Sequence, residues 1–162
     1  MIESDYLKDN DEIIQKIKKI PTLDLFTDKD LRGIVKLSKI RKYNPGELIM
    51  TEGSYDNWIY FVVSGKVKIV KQDRELSVLK RRGDVFGEMG IIDGSARSAS
   101  VYGVDEGTCL TADVSYIDRL SGNDKLAFCY ILYRVFSQIL ANRLRYTTDE
   151  LIRLKEEMTL IK

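Results

Sequence analysis

Ile13, Ile14, Ile17 and Ile20 recur at helical spacing among Asp, Glu and Lys until Pro21 closes the run, which predicts a short amphipathic helix. A second helix follows. Thr27 supplies a capping hydroxyl, Asp28 and Asp30 suit the first turn, and Leu31, Ile34 and Val35, with Leu37 or Ser38, form an apolar stripe. The first forty residues therefore read as helix. From Tyr43 to Ala112 the period changes to short runs rich in β-branched and aromatic residues, at 48–50, 58–63, 66–71, 76–79, 85–86, 99–102 and 108–112. Turn residues separate them, among them Asn44-Pro45-Gly46, the polar stretch 53–57 and Ser64-Gly65. The runs 58–63 and 66–71 read as a hairpin closed at Ser64-Gly65, and about eight strands are expected in all. So many apolar runs in a flat sheet would aggregate, so the chain must roll them into two facing sheets.

The remainder is helical. Asp113 suits the cap of a short turn reaching Leu120, Ser121-Gly122-Asn123 breaks it, and no Gly or Pro interrupts the chain from Asp124 to Lys162. In its first half Leu126, Phe128, Ile131, Leu132, Val135, Phe136 and Ile139 are apolar on too many sides for a free helix, so this part is expected to pack on the β-domain. Its second half carries Leu140, Leu144, Thr147, Leu151, Leu154, Met158 and Ile161 at alternating steps of four and three, the seam of a two-stranded coiled coil. Homodimerisation through residues 140–161 is the expectation, and a helix folded back on its own domain is the alternative. The chain thus divides into a helical lead-in (1–40), a β-domain (41–122) and a long helix (123–162).

Composition narrows the chemistry. The 162 residues hold 26 Lys+Arg against 25 Asp+Glu, so the net charge of +1 gives no bulk attraction to nucleic acid or anionic lipid. There is no His, which removes the usual general base and the commonest transition-metal ligand. Cys109 and Cys129 are too few for a zinc or iron–sulfur site and read as reduced, buried small hydrophobes, with a disulfide as the alternative. The N-terminus lacks a signal peptide's basic and apolar regions, and no run of about 18 apolar residues spans a bilayer, so the expected compartment is the cytoplasm.

The densest chemical clue is residues 83–100, which run from a strand end through a Gly-bracketed turn or short helix into another strand. Gly87 and Gly90 let backbone approach a ligand closely, and the free N–H groups of such a turn suit an anion. Arg97 adds a planar cation able to grip a phosphate, and Glu88 a carboxylate able to accept from vicinal hydroxyls. On residue types alone the alternative stands: Glu88 and Arg97 form a salt bridge and the glycines merely turn corners.

Phe86-Gly87-Glu88 followed by Arg97-Ser98-Ala99 resembles the phosphate-binding cassette of the cyclic nucleotide-binding domain family. Pro45-Gly46-Glu47 and Tyr60-Phe61-Val62 with Gly65 are similar to the first half of that family's β-roll, Leu25-Phe26-Thr27-Asp28 resembles its helical lead-in, and residues 141–148 resemble the dimer helix of its catabolite activator members. The resemblance covers roughly residues 20–150 and is far more specific than a lone glycine motif. It implies a mainly β fold with flanking α, a double-stranded β-helix of jelly-roll type with N-terminal helices and a long C-terminal dimerisation helix. It also implies a non-catalytic regulatory protein whose ligand is a cyclic nucleotide, cyclic AMP favoured and cyclic GMP possible, with no metal.

By the same resemblance Arg97 and Ser98, with backbone N–H groups of the cassette, hold the phosphate. Glu88 and Gly87 read the 2′-hydroxyl, and Phe86, Met89 and Ala99 complete the site. Thr147 and Thr148 from paired helices would meet the adenine amine. A Thr in the seam alternatively sets register at some cost in stability. Gly90 stands where many eukaryotic members have Ala, and Ala96 where Pro often precedes the Arg; neither removes a ligand group. Activators of this family append a DNA-binding domain, whereas only Lys162 follows Ile161, so no DNA is expected and the effector would be a separate protein. The alternative function is an interaction module of the same fold that binds no ligand or another anion. The missing His argues against a metal enzyme on a related β-roll.

Overall fold

The computed structural model describes all 162 residues. A two-residue strand, β1 (Ile2–Glu3), precedes helix α1 (Asp11–Lys18), a 3₁₀ turn (Pro21–Leu23) and helix α2 (Asp28–Val35). Strands β2 (Ser38–Tyr43), β3 (Leu48–Met50), β4 (Trp58–Ser64), β5 (Val67–Lys71), β6 (Arg74–Leu79) and β7 (Val85–Phe86) lead to a short helix α3 (Glu88–Asp93). Strands β8 (Ser100–Gly103) and β9 (Gly107–Asp113), a second 3₁₀ segment (Val114–Arg119) and helix α4 (Gly122–Leu160) complete the chain. The helix starts follow their caps: Asn10 accepts from the Ile13 amide at 2.9 Å, Thr27 from the Asp30 amide at 3.2 Å, and Asp113 from the Ser115 amide at 2.9 Å.

The nine strands form two antiparallel sheets, β1-β2-β9-β4-β7 and β3-β8-β5-β6. The lead-in is not wholly helical, because Ile2 and Glu3 pair with Lys42 and Arg41 and so cap the open edge of β2. The expected hairpin at Ser64-Gly65 does not form. Strand β4 pairs with β7 and β9 in one sheet, while β5 pairs with β6 and β8 in the other, so Gly65, at φ 78°, marks a crossing between sheets. The hairpin that does form joins β5 to β6 through Gln72 and Asp73, both with positive φ (49° and 60°), the conformation of a type I′ turn.

Two cores result. Tyr43, Ile49, Met50, Tyr60, Val62, Val67, Phe86, Val101 and Cys109 fill the space between the sheets. Ile59, Phe61, Leu110 and Ala112, on the opposite face of the larger sheet, meet Ile14, Ile17, Leu31 and Ile34 of the lead-in and Phe128, Leu132, Val135 and Phe136 of α4. Strand β4 is thus buried on both faces, which explains its unbroken apolar run. Helix α4 packs through its first half as its pattern predicts, except that Leu126 points to solvent. Cys109 is buried and free, and burial pushes its thiol up to about 12, so it is an inert core residue; Cys129 is half-buried and free.

Two substitutions test this packing. Phe136, 1% exposed, sits where α4 meets the sheet, and Phe136→Ala is expected to cost about 3–5 kcal/mol in urea unfolding. Gln72→Asn with Asp73→Gly, which suit positive φ, is expected to add about 1 kcal/mol and raise the denaturation midpoint; an unchanged midpoint would contradict the turn assignment.

Candidate functional site

Strand β7 delivers Phe86 into the inter-sheet core, where its ring stacks on Tyr60 at 4.6 Å and 8°. The chain then turns sharply at Gly87, whose φ is 89°, into α3. A Cβ there would lie 2.9 Å from the Arg97 Nη1 and 3.0 Å from the Trp58 carbonyl oxygen, so only glycine admits both the turn and the close approach of the arginine. Helix α3 ends at Gly94, and the returning chain carries Arg97 back beside Gly87. A two-way backbone pair fixes that return: Arg97 N donates to the Ser54 carbonyl and Gly53 N to the Arg97 carbonyl, both at 2.8 Å.

The resulting cavity of about 1420 Å³ lies between the cassette, the β5–β6 hairpin and α4. Phe86, Gly87, Glu88, Met89, Arg97, Ser98, Ala99 and Thr147 all line it. Thr148 does not; its hydroxyl donates to the Leu144 carbonyl of its own helix at 2.7 Å. The Ser98 hydroxyl contacts the Met89 sulfur at 3.6 Å.

The two charged residues of the cassette are both buried and do not pair with each other. Arg97, 3% exposed, donates through Nη1 to the Gly87 carbonyl and through Nη2 to Asp56 and the Trp58 carbonyl, while its Nε reaches the second Asp56 oxygen at 3.3 Å. Burial pushes the Asp56 carboxyl up, but the hydrogen bonds from Arg97 and from the Trp58 amide outweigh it and hold Asp56 below the usual carboxylate range. Glu88, 1% exposed, accepts from Arg143 of α4 through Oε1, and Arg143 also donates to the Val85 carbonyl. The other oxygen, Oε2, is buried without a partner. A carboxylate oxygen in that state is a strong acceptor for a hydroxyl donor entering the cavity.

Arg143 and Asp56 are the residues that sequence reasoning leaves without a role. Arg143 lies seven residues after Phe136, two turns along the same face of α4, so a cation continuing an otherwise buried apolar stripe was the available signal. Asp56 sits in the polar stretch 53–57, and nothing in its spacing points to a residue 41 positions away.

These features define a ligand-binding β-roll closed by a helix. Residues 40–124 match the family model described as cyclic nucleotide-binding domain, and the chain belongs to that family. It is 28% identical over 109 residues to a cGMP-dependent protein kinase of Toxoplasma gondii, an alignment covering 67% of this chain and 11% of the kinase. It therefore spans only a small part of that relative's length. Among solved structures, a cyclic nucleotide-binding domain from Methylobacillus flagellatus superposes with a TM-score of 0.73 at 18% identity, over 90% of this chain and 86% of that one. The catabolite activator protein of Thermus thermophilus gives a TM-score of 0.62 at 25% identity, over 83% and 63%. The fold is therefore the β-roll that the cassette resemblance implies. No helix is long and apolar enough to cross a membrane.

The Asp56–Arg97 pair has a defined pH signature. Because the folded carboxyl titrates below its unfolded value, its stabilisation is complete above about pH 4 and is lost as pH falls through the folded value. Asp56→Asn is expected to be less stable than wild type at pH 7 in urea unfolding, with the gap narrowing progressively as pH falls below about 4. A gap independent of pH would show that the charge of Asp56 is not what matters.

Proposed function

We propose that this chain is a non-catalytic cyclic nucleotide sensor, with cyclic AMP preferred to cyclic GMP, that acts as a homodimer and passes occupancy through α4 to a separate effector. The observation that carries the reading is Glu88 Oε2, a buried acceptor without a partner in the cavity that also holds Arg97 and the Gly87 turn. A cyclic nucleotide supplies the matching donor in its 2′-hydroxyl and the matching anion in its phosphodiester. The preference for cyclic AMP rests on Thr147, whose hydroxyl on the cavity wall suits the adenine amine. The likeness to a cGMP-dependent kinase makes cyclic GMP the competing ligand. A reduced, buried Cys109 accords with a cytoplasmic setting.

The dimer rests on the exposed face of α4. Leu144, Leu151, Leu154, Met158 and Ile161 are all exposed, and the same alternation runs upstream through Leu140, Ser137, Tyr133 and Tyr130 to the exposed Leu126. This pattern supports a seam that would extend beyond residues 140–161. Two parallel copies would set Glu150 against Lys155 of the partner subunit and Glu157 against Lys162 of the partner subunit, the flanking pairs that favour parallel register. A second reading, a module that binds no nucleotide, is favoured by one observation: Arg97 is already committed to Asp56 and two carbonyls.

Calorimetric titration with cyclic AMP, cyclic GMP and 5′-AMP, with mass followed by light scattering, separates these. Saturable binding of a cyclic form, tighter for cyclic AMP, at a mass of two chains is the expected result; no binding of any of the three supports the second reading. Arg97→Ala is expected to weaken binding by about 2–5 kcal/mol, and wild-type affinity in that variant would sink the ligand assignment.

A further inference from the structure

The stretch 66–84, which holds the β5–β6 hairpin and the loop into β7, carries seven cations against three carboxylates in a chain whose net charge is only +1. None of the seven takes part in an ion pair. Two of the three carboxylates, Glu75 and Asp84, share the cavity wall, and Asp84 Oδ2 accepts from the amides of Lys80 and Arg81 at 3.0 and 2.8 Å. Four of the cations, Lys66, Lys71, Lys80 and Arg81, are exposed and line the same cavity as the cassette. The cations deeper in the cavity are differently placed, Arg97 being neutralised by Asp56 and Arg143 by Glu88. Four cations against two carboxylates therefore leave net positive charge on the solvent-facing part of the wall, with none of the four ion-paired, while the interior is paired.

That separation assigns different work to the two sets. Paired cations inside a low-dielectric site hold a ligand once their partners give way, and so act on its escape. Unpaired cations at the exposed wall of a concave site project field into solvent, raise the local concentration of an anion and act on its entry. We propose that Lys66, Lys71, Lys80 and Arg81 form an electrostatic funnel that captures an anionic nucleotide and sets its rate of entry rather than the strength with which it is held. The proposal rests on the cyclic nucleotide reading above, because that ligand is a monoanion which the chain's net charge alone does not attract.

Stopped-flow association of a fluorescent cyclic AMP analogue tests it at low and high salt. Wild type is compared with Lys66→Gln/Lys71→Gln/Lys80→Gln/Arg81→Gln and with a control of equal charge change, Lys8→Gln/Lys19→Gln/Lys42→Gln/Arg119→Gln, four exposed cations outside the cavity. At about 20 mM ionic strength the funnel variant is expected to associate roughly tenfold more slowly, with dissociation changed less than about twofold. At about 0.5 M salt, where screening acts over a few ångströms, the difference in association should vanish. The control should associate like wild type at both. Equal association rates for funnel variant and wild type, a loss appearing in dissociation instead, or an equal loss in the control would each overturn the funnel while leaving the ligand reading intact. Absence of saturable binding by wild type would overturn the ligand reading, and the funnel with it.

Discussion

The site depends on one contact, the hydrogen-bonded ion pair between Arg143 and Glu88. Burying a carboxylate with 1% of its surface exposed is costly unless it is paired, and the cassette supplies no cation for Glu88, because Arg97 is taken by Asp56. The partner comes from α4. Apolar packing of Phe128, Leu132, Val135 and Phe136 brings the helix across the larger sheet, and Arg143 then binds both Glu88 and the Val85 carbonyl at the end of β7. Cassette and helix are thereby parts of one electrostatic unit. Glu88 therefore faces two ways, with Oε1 bound to the residue that seats α4 and Oε2 left without a partner.

The sheet behind the cassette reinforces Arg97 from the other side. Trp58 offers its carbonyl to Arg97, and its ring lies 4.8 Å from the Arg41 guanidinium. Arg41 in turn donates to the Tyr60 hydroxyl at 2.8 Å and pairs with Glu3 of the short first strand. Tyr60 stacks on Phe86, so the turn at Gly87 rests on an aromatic layer whose outer edge is held by the N-terminal segment. The placement of Arg97 is thus over-determined by groups distant in the chain.

What was legible in the sequence follows from the range of the forces involved. Helices α1 and α2 announce themselves through local caps and 3.6-residue periodicity, and α4 through the absence of any breaker between Asp124 and Lys162. The cassette was legible because Gly87, Glu88 and Arg97 lie within eleven residues of one another. The false hairpin at Ser64-Gly65 shows the limit, since a turn dipeptide between two strand-like runs does not reveal whether they share a sheet. The true hairpin carries no such local signal, because Gln72 is an unusual residue for positive φ. Asp56 and the partnering of Arg143 were invisible for a related reason: each is joined to the cassette only by tertiary contact. Leu126 shows a further limit, because hydrophobicity alone does not tell which face of a helix is left open.

The pairing order of the larger sheet also has a consequence for how the chain acquires its shape. Strand β9 is the central strand there, bonded to β2 on one side and β4 on the other, with Ser38 opposite Ala112. It is also the last strand to be synthesised. At roughly 5–20 residues per second a ribosome needs several seconds to pass from β2 to β9, and throughout that interval β2 and β4 have no strand between them. The lead-in helices can form early, but the surface they are to cover is completed only when the middle of the sheet arrives. Long-range closure of this kind makes assembly slow for a chain of this size and leaves the apolar faces of β4 dependent on protection during synthesis.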